Sequence, residues 1–200
     1  MTDEFFERVY NPQILAELEA AFGPFVQRHI DLPAATEAMH TMVDKMRRAK
    51  KPRRAEVVLL VPNPAGDIWL HTKAFYPAGT YRLMTGGLEF GESPVLAARR
   101  ETREETGFVV ELTRCLGVIT YRFLNEAEPL PFASYLFLTT PGQGRPSPTD
   151  PGENITDFVA VPPAELIKTA HQLRSLEGRF ADWGIFRAIP HELAAAELAK

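Results

Sequence analysis

Cysteine is nearly absent from this chain. The single residue, Cys115, has no internal partner for a disulfide, and no cysteine or histidine stands at metal-ligand spacing, so a zinc pattern is excluded as well. Within the apolar-rich run Leu112 to Thr120, Cys115 reads as a buried strand residue rather than a nucleophile. No apolar run approaches the ~20 residues that cross a bilayer, and the start MTDEFFERVY is acidic where a secretory leader would be basic and then apolar. A cytoplasmic protein without membrane contact is therefore expected. Basic residues are not in excess: 22 Lys and Arg against 26 Asp and Glu give a net charge of -4, which argues against general nucleic-acid binding. Ser93 and Ser134 lack the Gly-x-Ser-x-Gly frame, which removes esterase-type serine chemistry. Repeats and low-complexity tracts are missing too. What remains, 200 residues with 45% hydrophobic and 24% charged content, is ordinary globular composition, enough for one domain with additions.

Along the chain, Asn11, Pro12 and then Ile14, Leu15, Leu18, Ala21 and Phe22 before Gly23 predict a capped amphipathic helix. A second helix after Asp31 carries Met39, Met42, Val43 and Met46 on one face, a stripe expected to pack on the sheet or on a partner subunit in a homodimer. These two predict an N-terminal helical extension, residues 1–54, ahead of the main domain, residues 55–200. From Ala55, AEVVLLV, a turn cluster and IWLHT predict a hairpin; FVVELTRCLGVITYRFL, FASYLFLTT and ITDFVAV predict further strands. Ala164 to Leu176 and two short segments near Trp183 and Ala194 read as C-terminal helices, giving a mixed α/β order.

The chemistry concentrates in GGLEFGESPVLAARRETREETGF, residues 86–108. Ser93 suits an N-cap, Pro94 the first turn and Gly107 the C-terminal stop, so the helix runs from about Pro94 to Thr106. Glu101, Glu104 and Glu105 then stand at i, i+3 and i+4, with their carboxylates side by side on one face. Exposed, this trio is a solvated face; in a cleft of effective dielectric near 20, charges about 6 Å apart repel by roughly 3 kcal/mol per pair, and a divalent cation relieves that. Such hard oxygen ligands suit Mg2+ or Mn2+.

This frame resembles the Nudix box: Gly, five residues, Glu, seven residues, Arg-Glu, an aliphatic, any residue, Glu-Glu, any residue, Gly and an aliphatic. Gly86, Glu92, Arg100, Glu101, Glu104, Glu105 and Gly107 supply all the fixed letters. At about 7% per residue type, such a coincidence has a chance of about 10^-8. Thr102 replaces a preferred aliphatic, Phe108 another, and Thr85 stands where a second glycine is common. The resemblance implies an α/β/α sandwich with a mixed sheet over about Ala55 to Lys168, and an enzyme that cuts a diphosphate linkage in a nucleoside diphosphate derivative such as ADP-ribose or a nucleotide sugar. The alternatives it leaves open are pyrophosphohydrolysis of a nucleoside triphosphate and a nucleotide-binding regulator without catalysis; RNA decapping is a further option that rests only on the basic run Lys45 to Arg54. It further implies metal ligands at Glu101, Glu104, Glu105 and a carbonyl near Gly86, a carboxylate-orienting Arg100, a loop-stabilising Glu92, and glycines Gly86, Gly87 and Gly91 that bring backbone close to phosphate. The general base is Glu105 or Glu153, with Asp150 and Asp157 as weaker candidates.

Other features stay open at this stage. Lys45, Arg47, Arg48, Lys50, Lys51, Arg53 and Arg54 crowd a helix end, either a solvated linker favoured by the helix dipole or a patch drawing a polyphosphate or RNA toward the cleft. Tyr121, Phe123 and Tyr135 offer rings on which a base can stack, or simply core aromatics, and Tyr121 is the one taken as a substrate contact.

Overall fold

The strand Ala55–Leu60 (β2) has every side chain buried. A strand apolar on both faces needs cover on both, and the helices supply it. The computed structural model describes residues 3–48, 52–89, 91–124 and 128–200. Around β2 assemble Val26–Pro33 (β1), Met84–Gly87 (β4), Leu112–Leu124 (β5) and Leu130–Thr139 (β6), in the order β1-β5-β6-β2-β4. The sheet is mixed: β1 with β5 and β6 with β2 are parallel, β5 with β6 and β2 with β4 antiparallel. Val57, Leu59 and Val61 point to one face, against Leu18 of Pro12–Phe22 (α2) and Ala97 and Ala98 of Pro94–Thr106 (α4). Val58 and Leu60 point to the other, against Glu37–Arg48 (α3), Leu166–Arg174 (α5) and Ala181–Leu198 (α6). The result is an α/β/α sandwich. A short helix, Glu4–Glu7 (α1), precedes α2. Cys115 is buried in β5, and burial pushes its thiol up to about 12. Among the described residues no helix is long and apolar enough to cross a membrane.

Three sequence expectations need correction. The N-terminal segment is not purely helical, because β1 adds to the sheet edge beside β5, from Val26 opposite Gly117 to Pro33 opposite Leu124. The predicted hairpin starts with a bridge between Pro62 and Ile68 and then divides: Ile68–Lys73 (β3) leaves β2 to pair antiparallel with Ile155–Val161 (β7) in a second, two-stranded sheet. The two short C-terminal segments are one helix, α6, running through Pro190. An interior proline costs about 3 kcal/mol in an exposed helix. Here Phe186, Ile189, Leu193 and Ala194 are buried, and this packing outweighs it. The Met39, Val43 and Met46 stripe is buried against the sheet, as one of its two readings required.

Candidate functional site

The box helix begins and ends where its residues require. Ser93 accepts the amide of Leu96, Pro94 sits in the first turn, and Gly107 closes the helix at φ 74°, a left-handed conformation that glycine adopts without strain. The fixed ends set which face Glu101, Glu104 and Glu105 share.

Arg100 organises that face. Its Nε and Nη2 reach the two oxygens of Glu92 at 2.9 and 2.8 Å, and Nη2 also donates to the Gly87 carbonyl at 2.9 Å. Its Nη1 donates to Glu101 at 2.8 Å and to Glu104 at 2.9 Å. One guanidinium therefore joins loop, strand end and helix, a task for a planar fork and not for a lysine. Glu92 turns back to accept the amide of Glu89 at 2.9 Å, which fixes the loop before α4. The Arg100 guanidinium and this amide hold its carboxyl below its ordinary range against the opposing effect of burial. Gly86 of β4 lies so close to Glu101 that an added Cβ would stand 1.8 Å from its Cδ.

Glu105 is different. It is fully buried, and neither carboxylate oxygen has a hydrogen-bond partner. Lys73 Nζ lies 3.2 Å from Oε1 and His71 Nδ1 3.9 Å away, yet desolvation pushes the carboxyl up to about 8, over the opposing pull of Lys73 and Arg82. Desolvation also raises Glu101, against the Arg100 contact. Lys73 donates to Glu153 Oε2 at 2.5 Å, so the two candidate proton acceptors meet on one ammonium. His71, fully buried without hydrogen bonds to its ring, is held well below its usual value, first by desolvation and then by the nearby cations.

A cavity of about 710 Å3 opens against this group, lined by Gly86, Gly87, Glu101, Glu153 and Lys73 on the box side. Glu104 and Glu105 are not in the lining: Glu105 is buried beside Lys73, and Glu104, partly exposed, is held by Arg100. Asp157 is drawn elsewhere, to Tyr81 and Arg145, and Asp150 caps its own loop through the amide of Gly152. Tyr121 is not at the site: its ring is buried against Phe123 and Phe186, because α6 covers the face of β5 from which it projects. The basic run is dispersed. Arg54 is buried on Asp3 at 2.8 Å, Arg48 pairs with Asp44, Arg47 donates to the Glu128 carbonyl, and Lys45 and Arg53 line the cavity. Lys50 and Lys51 lie outside the described residues. Sequence reasoning missed Lys73, His71 and Arg82. Each is a single residue on or beside β3 without a spacing signal, and only the approach of β3 to α4 shows its place.

The donor set fits a divalent cation. Two carboxylates are gathered by Arg100, and a third is buried with both oxygens unsatisfied, which costs free energy that a bound cation offsets. Among the described residues no three acids, imidazoles or thiolates already close a coordination sphere.

The chain matches the NUDIX domain over residues 51–184 and belongs to the Nudix family. Similar folds include a UDP-X diphosphatase, 16% identical with a TM-score of 0.50, covering 80% of this chain and 70% of that one. A MutT protein from Methanosarcina mazei Go1 is 17% identical, TM-score 0.47, with 76% and 99% covered. An ADP-ribose pyrophosphatase from Streptococcus suis 89-1591 is 13% identical, TM-score 0.46, with 74% and 93% covered. The family places this chain among pyrophosphohydrolases.

Proposed function

We propose that the protein hydrolyses a phosphoanhydride in a nucleoside diphosphate derivative, with Mg2+ or Mn2+ held by Glu101, Glu104 and Glu105 and by backbone near Gly86. The observation that carries this reading is the single Arg100 Nη1 that aligns Glu101 and Glu104 beside the cavity wall formed by Gly86 and Gly87. When bound, the cation supplies neutralisation of charge on the diphosphate and acidification of water.

The chain's own residues do the rest. Gly86 and Gly87 present backbone at the cavity, and the space where their Cβ atoms would stand is taken by Glu101 and by the Arg53 guanidinium. Lys73 offers its charge to the phosphoryl oxygens and holds Glu153 in place. Glu153 is the favoured proton acceptor: it lines the cavity, whereas Glu105 is sealed behind it. A panel of ADP-ribose, nucleotide sugars and nucleoside triphosphates, assayed for Mg2+-dependent release of phosphatase-sensitive phosphate, tests the reading. Turnover of a diphosphate derivative supports it, preference for triphosphates moves the cut to the triphosphate chain, and tight binding with no turnover of any compound overturns it in favour of a binding module.

A further inference from the structure

The cavity reaches well beyond the box. Its far wall is built by Met42 and Lys45 of α3 and by Phe180, Trp183 and Arg187 around the start of α6. Residues 37–48 of α3 lie outside the region that matches the family, as does α6 beyond residue 184. Met42 and Lys45 of α3 and Arg187 of α6 thus lie outside the matched region, whereas Phe180 and Trp183 lie within it.

Two observations mark this wall as a binding surface. The first is Phe75, a large apolar ring 62% exposed at the cavity, packed edge-on against Tyr76 with centroids 5.0 Å apart. Tyr76 in turn rests on Trp183 at 4.9 Å. A supported but uncovered ring is a platform for a planar base. The second is charge. The lining has six cations, Lys45, Arg53, Lys73, Arg82, Arg179 and Arg187, against three carboxylates, Glu56, Glu101 and Glu153. Arg187 is neutralised by Glu56 at 2.9 Å, Lys73 by Glu153, and Arg179 lies 3.4 Å from Glu37. Among the described residues Arg82 is buried with hydrogen bonds to Tyr76, Thr85 and the Leu83 carbonyl and makes no ion pair, although its charge reaches the buried Glu105. Among the described residues Lys45 and Arg53 have no carboxylate partner either, and the Arg53 guanidinium lies against Gly87, where the diphosphate would pass. Lys45 and Arg53 therefore bring positive charge to the cavity that no carboxylate among the described residues offsets.

We propose that this wall reads the nucleoside half of the substrate, stacking its base on Phe75 and binding, through Lys45 and Arg53, a ribose phosphate additional to the diphosphate that is cut. The substrate class is then a nucleoside diphosphate derivative phosphorylated at the 2′ or 3′ position. The inference rests on the phosphoanhydride reading for its biological sense, but its test does not depend on turnover.

Isothermal titration of the full chain with AMP, adenosine 2′,5′-bisphosphate and adenosine 3′,5′-bisphosphate isolates the added phosphate. The expected result is that at least one bisphosphate binds about tenfold or more tighter than AMP, the scale of a charge-assisted contact. The preference collapses to within about threefold in Lys45→Ala/Arg53→Ala, while Phe75→Ala weakens all three ligands alike. Circular dichroism checks that the variants fold, and Lys45→Gln with Arg53→Gln repeats the test with stems retained. Equal binding of AMP and both bisphosphates, no binding of any, or a preference that survives the double substitution overturns the proposal. Discrimination without hydrolysis of any phosphoanhydride would leave this subsite standing and remove the hydrolase reading instead.

Discussion

Gly86→Ala tests how closely the strand end and the box helix are fitted. The backbone at Gly86 is not left-handed, so alanine meets no conformational barrier there and slightly restricts the unfolded chain. The obstacle is one side chain. The new Cβ would lie 1.8 Å from Glu101 Cδ and 2.1 Å from both its Cγ and Oε2. To regain the 3.4 Å of ordinary contact, the carboxylate must retreat by about 1.6 Å. Glu101 is 6% exposed and tied to Arg100 Nη1 at 2.8 Å, so that movement breaks the contact that aligns it with Glu104. A misplacement of about 1 Å at a reacting centre costs roughly 100-fold in rate, so kcat should fall about 100-fold or more, near 3 kcal/mol of barrier. Fold stability should change by only about 1–2 kcal/mol, the cost of one charge-assisted bond offset by the restricted unfolded chain. Phosphate release under saturating Mg2+, read beside thermal unfolding, separates the two effects. Wild-type kcat in Gly86→Ala would show that the position of Glu101 does not matter, and the metal-site argument would fail with it.

The remaining predictions concern the residues around this contact. Arg100→Lys keeps the charge but cannot reach Glu92, Glu101, Glu104 and the Gly87 carbonyl at once. The Mg2+ concentration for half-maximal activity should rise about 10–100-fold, as for other groups that orient metal ligands, and an unchanged metal dependence refutes it. Glu105→Gln should lower turnover about 100-fold or more while unfolding at the same or higher temperature without metal, since a neutral amide is easier to bury than this desolvated carboxylate, whose one close ammonium, Lys73, is also held by Glu153. A large loss of stability would mean that Glu105 is structural. His191 carries the pH prediction: burial holds its imidazole down to about 3, with Nε2 accepting the Leu83 amide and Nδ1 donating to the Arg187 carbonyl. Neutral in the fold and protonated near 6.5 when unfolded, it contributes stability that is complete above 6.5 and lost as pH falls toward 3. Between pH 6.5 and 4.5, denaturant titration should cost the wild type about 2 kcal/mol more than His191→Gln; equal losses would show that His191 is not what acid attacks.

The box helix was legible to the residue. Cap, proline, carboxylate trio and terminal glycine are local signals, and the structure places each where local chemistry wants it. The edge strand β1 was not, because VQRHIDLP exposes most of its side chains and shows no alternation; what makes it a strand is pairing with β5 about ninety residues away. The division of the expected hairpin has the same cause. After one bridge at Pro62 and Ile68, β3 finds its partner in β7, and no turn residue near Asp67 encodes that choice. At the site, Arg100 and the glutamates were readable by spacing, whereas Lys73 and His71 come to Glu105 only through the second sheet. Tyr121 failed for the converse reason: an aromatic on a strand has the same pattern whether a ligand or a helix covers it.

The most direct test of the account is the location of the metal. Crystals grown with Mn2+ and a nonhydrolysable methylene analogue of ADP-ribose should give an anomalous peak about 2–2.3 Å from carboxylate oxygens of Glu101, Glu104 and Glu105, with the diphosphate analogue on its far side against Gly86 and Gly87. A peak remote from these glutamates, or an analogue seated with its diphosphate away from them, would contradict it.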